Sequence, residues 1–191
     1  NIDRKLELHF SENVYCEDDI FFRKIVVKNK SDRKRKLRIC FHHDFHLYGD
    51  GIGDTALYHP KHIAIIHYKR SSYFMIGLCS PEGKSIISDF NIGRDVEPGW
   101  NLAKNPIAQG SVDSIICADL EINGNNEATI CYFMTAGRTF DEVFELAERF
   151  VKKGIESHLQ HSQMCQKGWL ATIRPNIGVL EERLQQLYKR S

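Results

Sequence analysis

No run of apolar residues in this sequence approaches the ~18 that a membrane span needs, and the opening Asn1-Ile2-Asp3-Arg4-Lys5-Leu6 forms no signal peptide. We therefore expect a soluble, cytoplasmic protein with no membrane partner. An excess of one charge is also missing, since 26 Lys and Arg face 25 Asp and Glu. The one dense basic run, Arg33 to Arg38, sits between two strand patterns where a solvated turn belongs, so nucleic acid is not an expected partner. The six cysteines, Cys16, Cys40, Cys79, Cys117, Cys131 and Cys165, show neither a C-x-x-C pair nor zinc-ribbon spacing. Several lie inside apolar strands, where free cysteine behaves as a small hydrophobe, and we expect them reduced. Disulfides in a thermophile's cytoplasm are the known exception. Gly-x-Ser-x-Gly is absent, which removes the nucleophile elbow of serine hydrolases. There is no initiator methionine, and the last helical pattern stops at Ser191 without glycine, asparagine or proline to close it, so a piece of a longer chain is expected.

What is present is concentrated between Phe41 and Thr55. From Leu37 to Leu47 the odd positions read Leu37, Ile39, Phe41, His43, Phe45, Leu47, and the even ones Arg38, Cys40, His42, Asp44, His46. That period of two is a half-buried strand with a core face and a polar face. Gly49, Gly51 and Gly53 follow at every second position, so the backbone there can reach positive φ or approach a neighbour closely. The result is a strand with a shaped, polar mouth.

A chain of 191 residues can bury a core unaided and makes one domain, or one domain plus an appendage. Lys5 to Phe10 and Ile20 to Lys28 alternate as strands around a polar turn at Asn13 to Asp19. Ile63 to Tyr68 and Tyr73 to Leu78 suit a hairpin across Lys69-Arg70-Ser71-Ser72. Ser88 to Gly110, broken by glycine and proline, reads as a long surface loop with a helical turn. Val112 to Ile122 and Ala128 to Thr135 are strands, and the Asn-Gly of Asn123-Gly124-Asn125-Asn126 predicts a hairpin between them. At Thr139-Phe140-Asp141-Glu142 a capping box opens a helix whose apolar residues Phe140, Val143, Phe144, Ala147, Phe150, Val151, Ile155 and Leu159 recur at helical spacing towards Gln166, with Gly154 a soft point. Pro175 interrupts, and Ile177, Leu180, Leu184, Leu187 and Tyr188 start a second amphipathic helix. Strands first and helices last give a mainly β fold, two packed sheets followed by C-terminal helices. Those helices have little else in the chain to pack on and predict a missing partner.

His42, Asp44 and His46 share one strand face and are chemically a divalent-metal set. In line on a strand, however, they span about 13 Å, too far for one ion. No metal and no cofactor is therefore expected, and a hydrogen-bonding face pressed on another domain fits better. Gly49-x-Gly51-x-Gly53 lacks the spacing of a dinucleotide loop, stands outside any βαβ unit, and no Gly-Lys-Ser/Thr follows it. Asp50 and Asp54 are too few for an EF-hand and more often cap turns. Glu142, Glu145 and Glu148 lie on a helix where solvated or paired positions are the default. Trp100, Tyr48, Tyr58 and Tyr68 offer sugar-stacking faces, although core packing is the commoner use of such rings.

The run Phe41-His42-His43-Asp44-Phe45-His46-Leu47-Tyr48-Gly49-Asp50-Gly51-Ile52-Gly53-Asp54-Thr55-Ala56, with Tyr58 and Ile65 to Arg70 downstream, resembles the N-terminal β domain of prokaryotic glycoside hydrolase family 15, the glucoamylase, glucodextranase and trehalase group. Trp169-Leu170 before a helix ending Leu187-Tyr188-Lys189-Arg190-Ser191 is similar to the opening of that family's catalytic barrel. The resemblance implies an antiparallel super-sandwich over 1–137, truncated at its N-terminus, a linker helix over 138–175, and over 176–191 the start of a missing (α/α)6 barrel. It implies a parent enzyme that hydrolyses α-glucosidic bonds of an α-glucan or trehalose with inversion, using two glutamates. Those glutamates would lie beyond Ser191, so no catalytic residue is assigned here. The expected role of His42, Asp44, His46, Tyr48, Gly49, Asp50, Gly51, Gly53 and Asp54 is a domain interface with that barrel. The rival expectation is a stand-alone carbohydrate-binding module.

Overall fold

The computed structural model describes residues 5–172. The second amphipathic helix expected after Pro175, and with it the barrel opening at 176–191, lies outside the described residues. Ten strands are followed by two helices: β1 (Leu6–Val14), β2 (Ile20–Asn29), β3 (Arg35–Asp44), β4 (Asp54–His59), β5 (Ala64–Lys69), β6 (Ser72–Cys79), β7 (Asp89–Gly93), β8 (Ile107–Gly110), β9 (Asp113–Ile122), β10 (Glu127–Gly137), α1 (Phe140–Lys153) and α2 (Ile155–Thr172). All pairings are antiparallel, in a seven-stranded sheet ordered β1-β2-β10-β6-β5-β4-β8 and a three-stranded sheet ordered β3-β9-β7. The mainly β class and the helical ending are as the residue pattern predicts. The surface loop expected over Ser88 to Gly110 instead contains β7 and β8, and no helical turn.

The large sheet is covered on both faces, which explains why β5, β6 and β10 read as nearly continuous apolar runs. Between the sheets lie Ala56, Ile65, Ile76, Leu78, Ile92, Ile116 and Tyr132, with Phe41 and Phe90 at their margins. On the other face Phe22, Ile66, Met75 and Phe133 meet Val143, Leu146, Ala147 and Phe150 of α1. This corrects the expectation that the helical stripe lacks a partner: the outer face of the sheet covers α1. Thr139 caps the helix, its side chain accepting from the Glu142 N–H at 3.2 Å, while the Glu142 carboxylate accepts from Arg138 N–H at 2.7 Å. The single long helix of the sequence reading breaks at Gly154, whose φ of 80° no other residue adopts without strain.

Two expectations fail for physical reasons visible in the register. Asn123 to Asn126 makes no hairpin, because β9 and β10 belong to different sheets. The β2–β3 and β9–β10 connections cross between the sheets side by side and are tied by Asn29, whose amide nitrogen reaches the carbonyls of Arg33 at 2.7 Å and of Ile122 and Asn123 at 3.1 Å. Nor are all the cysteines reduced. Cys40 faces Cys117 across β3 and β9 and is bonded to it, and Cys16 is bonded to Cys165. Cys79 and Cys131, opposite each other on β6 and β10, are free and buried. Spacing along the chain carries no trace of either bond, since the partners are 77 and 149 residues apart. No helix among the described residues is long and apolar enough to cross a membrane.

Candidate functional site

β3 delivers the polar mouth. Its odd residues Leu37, Ile39 and Phe41 pack inward, and His43 is 6 % exposed, while His42 and Asp44 face solvent. The strand ends at Asp44, three residues earlier than the alternation suggests, and a single 3-10 turn at Leu47–Gly49 leads into the glycine loop. Tyr48 sits in that turn at φ 62°, and Gly49 and Gly53 take φ 79° and 77°, the left-handed region that favours glycine. Gly51 instead lies close to Ser111, where an added Cβ would come within 3.5 Å of that side chain.

The loop is held from below by Lys69, the last residue of β5, whose side chain is only 6 % exposed. Its ammonium donates to the Leu47 carbonyl at 2.9 Å, to the Asp50 carbonyl at 3.1 Å and to the Asp50 carboxylate, and lies 3.7 Å from Asp54. That cation holds the Asp50 carboxyl below its ordinary range, aided by the Ile52 N–H at 3.0 Å. Asp54 itself is 2 % exposed, and neither of its oxygens accepts a hydrogen bond within the protein. A lysine beside Arg70-Ser71 reads in sequence as part of a solvated turn, so this clamp is not legible there. Lys69→Met is expected to lower stability by about 2 kcal/mol, the worth of hydrogen bonds to a charged group, and to open residues 47–53 to proteolysis. Urea denaturation and limited digestion measure both, and a variant as stable and as resistant as wild type refutes the clamp.

Behind the mouth runs a buried polar chain. The Tyr132 hydroxyl lies 3.0 Å from His43 Nε2, His43 Nδ1 lies 3.1 Å from Ser114 Oγ, and that oxygen lies 2.7 Å from His67 Nε2. If Tyr132 donates, His43 donates to Ser114 and Ser114 to His67, so every proton between these groups finds an acceptor. Burial, then the neighbouring His67 and His42, pushes His43 down to about 3. Burial alone takes His67 to about 4. Both rings are neutral at pH 7. These groups come from β3, β5, β9 and β10, and only His43 was singled out by its place in the chain.

The predicted interface residues divide by depth. His42, Asp44, His46, Tyr48, Gly49, Asp50 and Gly53 are exposed, Gly51 is half-buried, and Asp54 is buried beneath the loop. His42 lies 3.8 Å from Asp113, whereas Asp44 and His46 pair with each other at 3.2 Å, so the three do not converge on one point. The Tyr48 hydroxyl bonds Ser72 at 2.9 Å, and the Arg70 guanidinium lies 5.1 Å from the centre of its ring. On the outer face of the small sheet, Arg38 grips Asp119 with Nε and Nη2 at 2.6 and 2.7 Å, and gives Nη1 to Asp89 and to the carbonyls of Gly99 and Trp100. With Lys34 and Lys36 paired to Glu121, much of the basic run is neutralised within the fold.

No family model matches the sequence, and no curated protein matches it. Solved structures do share the fold. A bacterial glucoamylase complexed with acarbose superposes with a TM-score of 0.53 at 10 % identity, covering 85 % of this chain and 25 % of that one. A putative kojibiose phosphorylase from the human microbiome gives 0.52 at 12 % identity, covering 84 % and 21 %. The chain thus spans a quarter or less of the length of these proteins. Of the four aromatic rings offered for stacking on sugars, Tyr58 lies against Phe90 at 3.8 Å and Tyr68 against Tyr73 at 5.3 Å. Trp100 and Tyr48 remain exposed, at 63 % and 52 %.

Proposed function

We propose that this chain is the non-catalytic β-sandwich domain of a larger glucoamylase-like glycoside hydrolase, seated on an (α/α)6 catalytic barrel that follows it. The reading is carried by one observation: the fold recurs as about a quarter of a bacterial glucoamylase, while this chain presents an exposed, ordered polar face from His42 to Asp50. Lys69 fixes the backbone of that face, so its hydrogen-bonding groups are preorganised for a partner. The assignment to glycoside hydrolase family 15, and with it an α-glucan or trehalose as the parent's substrate, rests on the resemblance of residues 41–56. Incubation of the chain with maltooligosaccharides or trehalose is expected to release no glucose. Sustained turnover by this chain alone overturns the proposal.

A stand-alone carbohydrate-binding module is the second reading, favoured by Trp100. Its ring is exposed, while Arg38 lies 5.0 Å from the ring centre and holds the Trp100 carbonyl, so the indole is presented on a fixed loop. Fluorescence titration with maltoheptaose separates the readings. Micromolar quenching that Trp100→Ala abolishes supports the module, and silence supports the docking domain.

A further inference from the structure

We propose that Cys16, His161 and Cys165 form a redox-gated site for a zinc-like divalent cation, which replaces the Cys16–Cys165 disulfide when that bond is reduced. One ligand atom from each residue lies within 4.8 Å of the other two. That is the separation at which a tetrahedral ion with sulfur and nitrogen ligands at about 2.3 and 2.1 Å can draw them together. His161 and Cys165, four residues apart, share a face of α2, and Cys16 approaches from the turn between β1 and β2.

The surroundings are those a ligating histidine needs. Such a ring requires its second nitrogen to be held, and both nitrogens of His161 have a partner here. Nδ1 lies 2.6 Å from the Tyr15 hydroxyl, and Nε2 lies 3.5 Å from the Glu17 carboxylate. Tyr15 is itself fixed, donating to Glu17 at 2.9 Å and accepting from Lys153 at 2.6 Å. Its single hydroxyl proton is directed to Glu17, so Nδ1–H of His161 donates to Tyr15 and the neutral ring keeps its lone pair on Nε2, next to the carboxylate. Three protein ligands leave the fourth tetrahedral position to water. Two thiolates and an imidazole suit zinc better than a hard cation such as magnesium.

The exchange balances. A low-molecular-weight thiol reduces the bond between Cys16 Sγ and Cys165 Sγ: two reductant thiols become one disulfide, and two electrons and two protons pass to the cysteines. The cation then displaces those two protons to solvent. Cys16 is exposed, so reductant and ion both have access. In either state the β1–β2 turn stays joined to α2, across 149 residues of chain.

The test uses the whole chain, reduced with a phosphine that is then removed without oxygen, and titrated with Co²⁺. The expected result is about one cobalt per chain with a thiolate-to-cobalt charge-transfer band and tetrahedral visible bands, which Zn²⁺ bleaches. His161→Ala, which leaves the disulfide intact and so folds when oxidised, is expected to weaken cobalt binding at least about tenfold. A Cys16→Ser, Cys165→Ser double variant is expected to lose the charge-transfer band. Zn²⁺ is expected to raise the melting temperature of the reduced wild type and not of reduced His161→Ala. No band in the reduced wild type, an unchanged band in His161→Ala, or equal binding by fully oxidised protein overturns the proposal.

Discussion

Between pH 7 and pH 4.5 the unfolding free energy is expected to fall by about 5 kcal/mol, mostly through two histidines that cannot be charged where they sit. His43 and His67 are 6 % and 1 % exposed and hydrogen-bonded as neutral rings through Ser114. Their pKa values in the fold are about 3 and about 4, against roughly 6.5 in the unfolded chain. A depressed value means that the folded state binds fewer protons than the unfolded one. The stabilisation is therefore fully present above pH 6.5 and is lost as pH falls towards the folded values. Over two pH units each ring contributes a little under about 3 kcal/mol. His158, also lowered chiefly by burial, adds in the same direction. Since the whole stability of a domain is about 5–15 kcal/mol, this removes a third or more of it before most carboxylates titrate. Urea denaturation across this range measures the slope, and His67→Gln should flatten it by about one proton's worth. A slope indistinguishable from zero between pH 6.5 and 5, or imidazole resonances of both rings that titrate near 6.5 in the native protein, sinks the prediction.

How much of this was legible in the sequence depends on the range over which each feature is specified. The alternation from Leu37 to Phe41 put the right side chains inward, and it placed His43 on the core face, because period-two patterning is local and a one-residue slip would reverse every assignment. Thr139 and Glu142 announced α1 for the same reason. What failed depends on contacts remote along the chain. Asn123-Gly124 carries a strong hairpin signature, but a signature of four residues says nothing about whether the flanking strands stay in one sheet. The Cys40–Cys117 bond follows only from a register that sets the two opposite each other. Lys69 reads as a surface cation until the loop at Leu47 to Asp50 is folded over it. In the candidate site the exposed residues were therefore foreseeable from β3, while the groups that hold them, Lys69, Ser114, His67 and Tyr132, come from strands whose adjacency no local pattern encodes.

The corner between the sheets is where that long-range specification is most concentrated, and disrupting it is expected to cost about 4 kcal/mol at a single residue. β2 pairs with β10 in the large sheet and β3 with β9 in the small one, so a two-stranded ribbon passes from one sheet to the other through residues 29–35 and 122–127. Inside the bend Asn29 N–H donates to the Asn126 carbonyl at 2.9 Å and Asn125 N–H to the Ser31 carbonyl at 2.8 Å, and side chains must satisfy the backbone groups left over. Asn29, 1 % exposed, supplies most of this: its amide nitrogen serves three carbonyls, and its oxygen accepts from Ser31 N–H at 3.1 Å and Ser31 Oγ at 2.6 Å. Asn29→Ala would remove the side-chain donor from the Ile122 and Asn123 carbonyls, at about 1–3 kcal/mol for each left unpaired, while the Arg33 carbonyl keeps Ser31 Oγ at 3.0 Å. Gly124 is required for a different reason than in a hairpin. Its φ is not positive, and what excludes a side chain is the Asp32 carbonyl, which an added Cβ would meet, with Arg33 N 3.0 Å away. Gly124→Ala must therefore move backbone that Asn29 is holding, and the two strands separate together. By contrast Asn125, at φ 58°, should accept glycine with little loss, since glycine reaches that conformation freely. Thermal and urea unfolding of Asn29→Ala, Gly124→Ala and Asn125→Gly make the comparison. If Gly124→Ala stays within about 1 kcal/mol of wild type, the usual size of a propensity effect, the two connections do not pack as a corner and the topology proposed for the ribbon is wrong.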